Sequence, residues 1–144
     1  MRELATALDT ITGRLLETMF YSAVLDLAAN APPETRYTAM VPFSGSLEGS
    51  VCVSASPRTA AALAANFLGE SGEVSAAQAA SVVGELANIL CGSLLGEIER
   101  TGQFVIGAPE LFDSPSASSA LEEMPLRRIY ELEEGTLAVG LTVG

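Results

Sequence analysis

The sequence predicts an α+β fold: two long helices and one short helix packed on a mainly antiparallel sheet of hairpins. Three observations carry this. Two long segments repeat apolar residues at spacings of three and four, and a shorter alanine-rich segment lies between them. Two further segments alternate apolar and polar residues around glycine-marked turns. At 144 residues, 49% hydrophobic and 17% charged, residues 1–144 read as a single domain with enough apolar surface to bury one core.

From Glu3 to Asn30, apolar residues recur at Leu4, Leu8, Ile11, Leu15, Met19, Ala23 and Leu27, which predicts the first long helix. Ala31, Pro32 and Pro33 are expected to end it, since proline cannot continue a helical ladder. Tyr37, Ala39, Val41 and Phe43 then alternate, and Gly45 and Gly49 frame a turn into Val51, Cys52 and Val53. That is a predicted antiparallel hairpin. Ser56 followed by Pro57 marks a helix start, and Gly69 closes the short helix that follows.

Ser75 with Gln78 three residues later forms a capping-box signature, and the periodic pattern runs from there to Arg100 before Gly102. Phe104, Val105 and Ile106 read as a brief strand, and the Ser- and Pro-rich stretch Pro109 to Pro125 as a surface loop. A second hairpin, entered through Ile129, Tyr130 and Leu132, turns at Glu134 and Gly135 and ends the chain. An internal echo links the halves. Residues 47–51, LEGSV, resemble residues 133–137, EEGTL, and aligning Gly13 with Gly84 places Arg14 opposite Glu85 and Glu17 opposite Asn88.

The balance of 18 acidic against 7 basic residues gives a net charge of −11, which disfavours nucleic acid and anionic membrane as partners and points to a protein or a cation. No run of 18 or more apolar residues appears, and acids stand at Glu3 and Asp9 where a secretion signal would be basic and then apolar, so a cytoplasmic protein is expected. Cys52 and Cys91 sit among small apolar neighbours and read as buried thiols. The chain has no histidine, which excludes Ser-His-Asp and Cys-His nucleophile systems and imidazole metal sites.

The second long helix carries the candidate chemistry. At 100° per residue, Val82, Val83, Leu86, Ile89, Leu90 and Leu94 form the core stripe, while Ser81, Glu85, Asn88 and Gly92 share the opposite side with Gly84 and Gly96 at its margins. Each glycine costs a helix roughly 1 kcal/mol relative to alanine. Such a face is built either to be approached closely by another molecule or to pack tightly within its own chain, and the spacing alone leaves both open.

Ser81, Glu85, Asn88 and a later Pro109 resemble the signature of the CheC, CheX and FliY phosphatases: an Asp or Ser, a Glu, an Asn and a Pro. The 20 residues between Asn88 and Pro109 are slightly fewer than is usual in that family. The segment GELANILCG, the hairpin FSGSLEGSVCVS and the helix after Ser56 are also similar to it. The resemblance implies a CheC/CheX-like pseudo-repeat with one active face. Its implied substrate is a phosphorylated CheY-like response regulator, in chemotaxis or another two-component pathway.

It further implies that Asn88 holds the attacking water and Glu85 pairs with the regulator's lysine. Ser81, Gly84 and Gly92 would meet the partner, although a helix serine is commonly just solvated. By the same resemblance no cofactor is bound by this chain, Mg2+ is carried by the regulator, and the protein forms a homodimer through its sheet, with the last strand, ending at Gly144, as the candidate edge. Two alternatives stand beside the enzyme. One is a noncatalytic regulator-binding module, the other a dimeric scaffold whose glycine-marked helix faces pack together.

Overall fold

A computed structural model describes residues 2–29, 37–69, 73–113 and 121–143. The helix stop expected at Ala31, Pro32 and Pro33, residues 114–120 of the expected loop, and Gly144 lie outside the described residues. The elements run α1 (Arg2–Met19), β1 (Val24–Leu27), β2 (Tyr37–Gly45), β3 (Gly49–Ala55), α2 (Pro57–Leu68), α3 (Ala76–Ile98), β4 (Phe104–Ile106), β5 (Glu110–Asp113), β6 (Leu126–Leu132) and β7 (Gly135–Val143). All strand pairs are antiparallel, in the order β1-β6-β7-β3-β2-β4, with β5 also on β2.

The helix ends follow from local chemistry. Ser56 accepts from Thr59 N–H at the head of α2, Pro57 begins the helix, and Gly69 closes it in the left-handed region at φ 68°. At α3 the capping box forms in both directions: Gln78 N–H donates to Ser75 Oγ at 3.1 Å, and Ser75 N–H donates to Gln78 Oε1 at 2.9 Å. The helix stops at Ile98, two residues before the expected Arg100, where Glu99 N–H caps back onto the Leu95 carbonyl.

Two strands depart from the expectation. The first helix ends at Met19, where Tyr21 takes a left-handed φ of 50° and Ser22 N–H donates to the Leu16 carbonyl at 3.0 Å. Residues 24–27, helical by periodicity, instead pair with β6, Val24 opposite Leu132 and Leu27 opposite Tyr130. Ladder hydrogen bonds on an otherwise unpaired sheet edge outweigh a local helical pattern. For the same reason residues 110–113, expected as loop, form β5 along β2, with Leu111 opposite Ala39. The last strand is no edge. β7 lies between β6 and β3, so the sheet ends at β1 on one side and at β4 and β5 on the other.

This arrangement makes the internal echo three-dimensional. The order α-β-β-β occurs as α1-β1-β2-β3 and again as α3, the β4–β5 edge, β6 and β7, with α2 between the two units. Their final strands pair at the centre, Val53 opposite Val139, and each unit lends its edge strand to the other: β1 to β6, β5 to β2. Gly49 and Gly135, aligned by the echo, both open central strands.

One face of the sheet carries the core. Val51, Val53, Leu137, Val139 and Leu141 meet Leu8, Leu16, Leu86, Leu90 and Leu94 from the long helices, all buried. α3 has the length and composition to cross a membrane, but its apolar residues are spent on this core. Asp9 fixes α1 to β6, accepting from Arg128 Nε at 2.9 Å, from Nη2 at 2.7 Å and from the Tyr130 hydroxyl at 2.8 Å. At the β6–β7 turn, Glu134 accepts from Ser22 Oγ at 2.5 Å and Asn66 Nδ2 at 3.2 Å, tying the turn to α2 and the α1–β1 connection. A smaller cluster on the other face places Cys52, Ile129 and Ala138 beneath Leu121 and Met124.

Burial has a consequence for alkaline stability. Cys52 and Cys91 are free, buried thiols, pushed by desolvation from an ordinary value of 9.0 up to about 12 and about 11. Burial, then the hydrogen bond to Asp9, also raises the Tyr130 phenol. Because these values are raised in the folded state, the unfolded chain loses its protons first. Stability is therefore full below about pH 9 and is lost as pH rises through 11 to 12, at about 1.4 kcal/mol per pH unit for each thiol. Urea unfolding at pH 8 and pH 10.5 is expected to show this loss, and Cys52→Ala to make it shallower.

Candidate functional site

The site is what remains of α3 once the core is satisfied. Ala79, Val82, Val83, Gly84, Leu86, Ala87, Leu90, Cys91, Leu94 and Leu95 are all buried, an arc wider than a single amphipathic stripe. Beyond its first turn, the exposed residues of the helix are Ser81, Glu85, Asn88, Gly92, Ser93, Gly96 and Glu97, and Ser81, Glu85, Asn88, Gly92 and Gly96 among them form a narrow strip along it. Residues three and four apart are neighbours on a helix surface, so the Glu85 carboxylate and the Asn88 carboxamide leave the strip side by side. Among the described residues, no hydrogen bond or ion pair engages the side chains of Ser81, Glu85 or Asn88.

Both explanations of the glycines are realised, at different positions. Gly84 is buried: a Cβ there would stand 2.9 Å from Leu111 Cδ2 and 3.5 Å from Pro109 Cβ. Its missing side chain is used within the chain, by the β4–β5 segment, which revises the expectation that it meets a partner. The same contact brings Pro109 against the helix at Gly84, one residue before Glu85. Gly92 stays exposed, and among the described residues a Cβ there would meet only Ile106 Cδ1, at 3.8 Å.

That geometry sets a test. Gly92→Ala introduces no clash and removes a helix glycine, so it is expected to stabilise the fold by about 0.5 to 1 kcal/mol. If the strip is a contact surface, the same variant weakens partner docking. A higher melting temperature combined with lower activity is the expected result, and calorimetry with an activity assay reads both.

The first unit offers no second copy of the pair. Arg14 and Glu17 are exposed at the equivalent positions of α1, and Gly13, the counterpart of Gly84, is uncovered, with no described atom within 4 Å of where its Cβ would stand. Among the described residues, no group of three or more His, Cys, Asp or Glu side chains could hold a metal ion. The sequence reading missed the contribution of Ile106 and Leu111. The apolar pair Leu111 and Phe112 between Glu110 and Asp113 was the available signal, too short to show a strand period and masked by the Ser- and Pro-rich composition that follows it.

Fold and face together define a two-unit α+β domain that exposes one carboxylate and one carboxamide from its core helix. The chain belongs to the CheX family: the model of that family, described as chemotaxis phosphatase CheX, matches residues 37–124. No curated protein matches the chain in sequence. Among solved structures it is similar to a chemotaxis protein CheX from Desulfovibrio desulfuricans, at 19% identity and a TM-score of 0.74, over 99% of both chains. It is likewise similar to CheX of Borrelia burgdorferi, solved in complex with CheY, BeF3 and magnesium, at 15% identity and 0.74 over 96% of each. FliY of Thermotoga maritima follows at 16% identity and 0.59, over 97% of this chain and 86% of that one. At these identities the structural likeness establishes the fold.

Proposed function

We propose that this protein hydrolyses the aspartyl phosphate of a CheY-like response regulator, in chemotaxis or a related two-component pathway. The observation that carries the reading is the exposed, unengaged pair Glu85 and Asn88 on the one open strip of a core helix in a CheX-family chain. Its support includes the Borrelia CheX bound to CheY with BeF3 and magnesium, since BeF3 on a carboxylate has the shape and charge of a phosphoryl group.

In this mechanism the regulator supplies the phosphoaspartate, the magnesium and a lysine. Asn88 accepts a hydrogen bond from a water through its carboxamide oxygen and aligns that water with the phosphorus. The water oxygen bonds to phosphorus as the bond to the aspartyl oxygen breaks. The products are the free carboxylate and inorganic phosphate, which takes up the water's proton. Glu85 pairs with the lysine and fixes the two proteins in register. Phosphoryl transfer through a loose transition state needs positioning and charge placement more than a covalent partner, which suits a pair lacking a nucleophile. A second carboxylate at position 88 would set negative charge beside the anionic phosphoryl group, which accounts for an amide there.

The same reading places the protein in the cytoplasm, where response regulators work, and includes a homodimer paired through the sheet. For that dimer β1 replaces the last strand as the candidate edge. It pairs with β6 on one side and, among the described residues, with no strand on the other, and Leu25 and Leu27 are exposed on it. The test of function is the decay of a CheY-type regulator charged with acetyl phosphate in magnesium buffer. Faster decay with this protein than without it is expected. Unchanged decay across the regulators of the same cell would leave a binding module.

A further inference from the structure

The edge segment that covers Gly84 carries more apolar surface than covering requires. Ile106 pairs opposite Phe43 and Leu111 opposite Ala39. Phe43 and Ala39 belong to the core on the helix side of the sheet, and cross-strand partners share a face, so Ile106 and Leu111 rise beside α3. The contacts agree, with Leu111 against Gly84 and Ile106 beside Gly92. Both side chains remain open to solvent, Leu111 by 50% and Ile106 by 37%. Gly84, Asn88 and Gly92 stand four residues apart and form one ridge of the helix. The two apolar side chains therefore bracket Asn88, one toward each end of that ridge.

Resting on the phosphatase reading, we propose that Ile106 and Leu111 are the apolar part of the regulator-docking surface and determine which receiver is accepted: one whose phosphorylated acid is bordered by an apolar patch. The occupant follows from continuity, because a body that brings a phosphoryl group to Asn88 must lie across the side chains at both ends of its ridge. Chemistry points the same way. Ser81, Glu85, Asn88 and Gly92 offer little apolar area, whereas removal of apolar area from water is the main favourable contribution to most protein association. Net charge supplies no attraction, since the chain carries −11 and a phosphoryl-bearing surface is itself anionic.

The test uses the full chain and a CheY-type regulator of the same cell, charged with beryllium fluoride and magnesium for binding and with acetyl phosphate for turnover. Leu111→Ser and Ile106→Ser are each expected to weaken binding about tenfold and to raise KM in proportion, with kcat within about twofold. Val105→Ser is the control. Val105 is 70% exposed but pairs opposite Ser44, on the other face, and its substitution is expected to change neither. Wild-type affinity in both serine variants of the ridge overturns the proposal, as does equal damage from Val105→Ser. Loss of self-association in place of regulator binding, read by light scattering, also overturns it by assigning the patch to a second copy. The two readings fail separately: normal binding without hydrolysis by the wild type removes the phosphatase, and hydrolysis unaffected by either ridge variant removes the docking surface.

Discussion

Gly49→Ala is expected to destabilise the domain by about 3 kcal/mol or more, lowering the melting temperature by roughly 10 °C. A Cβ at Gly49 would overlap the Thr142 carbonyl oxygen, and it would stand 2.7 Å from the carbonyl carbon and 2.9 Å from Phe43 Cζ. The obstacle is backbone, on β7, in the central pair that joins the two units. Neither strand can retreat without loosening the core on its helix side, and an overpacked site that cannot relax costs more than the usual 1 to 3 kcal/mol. Set against a total stability of about 5 to 15 kcal/mol for a domain, this is a large fraction. Gly96→Ala supplies the contrast: no described atom lies within 4 Å of its Cβ, and the change is expected to be neutral or stabilising. Thermal unfolding of the two variants measures the difference.

The second large effect is catalytic. Asn88→Ala removes the carboxamide from an exposed position with no partner among the described residues, so the fold is expected to be unaffected. Acceleration of dephosphorylation is expected to fall about a hundredfold, roughly 3 kcal/mol of barrier, the usual cost of losing a transition-state hydrogen-bonding group. Asn88→Asp keeps the shape but adds charge where the proposed mechanism puts the phosphoryl oxygens, and a comparable loss is expected. Single-turnover decay of the phosphorylated regulator measures both.

What was legible in the sequence was local chemistry. Ser56, Pro57 and Gly69 bounded α2, Ser75 and Gln78 opened α3, and Glu134 and Gly135 turned the second hairpin, because each cap or turn is decided by residues a few positions apart. β1 and β5 were not legible, since neither exists apart from the strand it joins. Val24–Leu27 had a helical period until β6 offered an edge, and residues 110–113 looked like loop until β2 did. The same limit applied at the site. Periodicity placed Ser81, Glu85, Asn88 and Gly92 on the open strip, but nothing near Gly84 in sequence announced that Leu111 and Pro109 would cover it.

In the proposed mechanism Asn88 acts in the chemical step and is not merely part of a docking surface. The most direct measurement pairs two assays on wild type and Asn88→Ala: affinity for the regulator charged with beryllium fluoride and magnesium, and acceleration of decay of the phosphorylated form. Equal affinity with acceleration lost about a hundredfold is the expected result. Acceleration that survives the substitution would contradict the account, whatever the affinity.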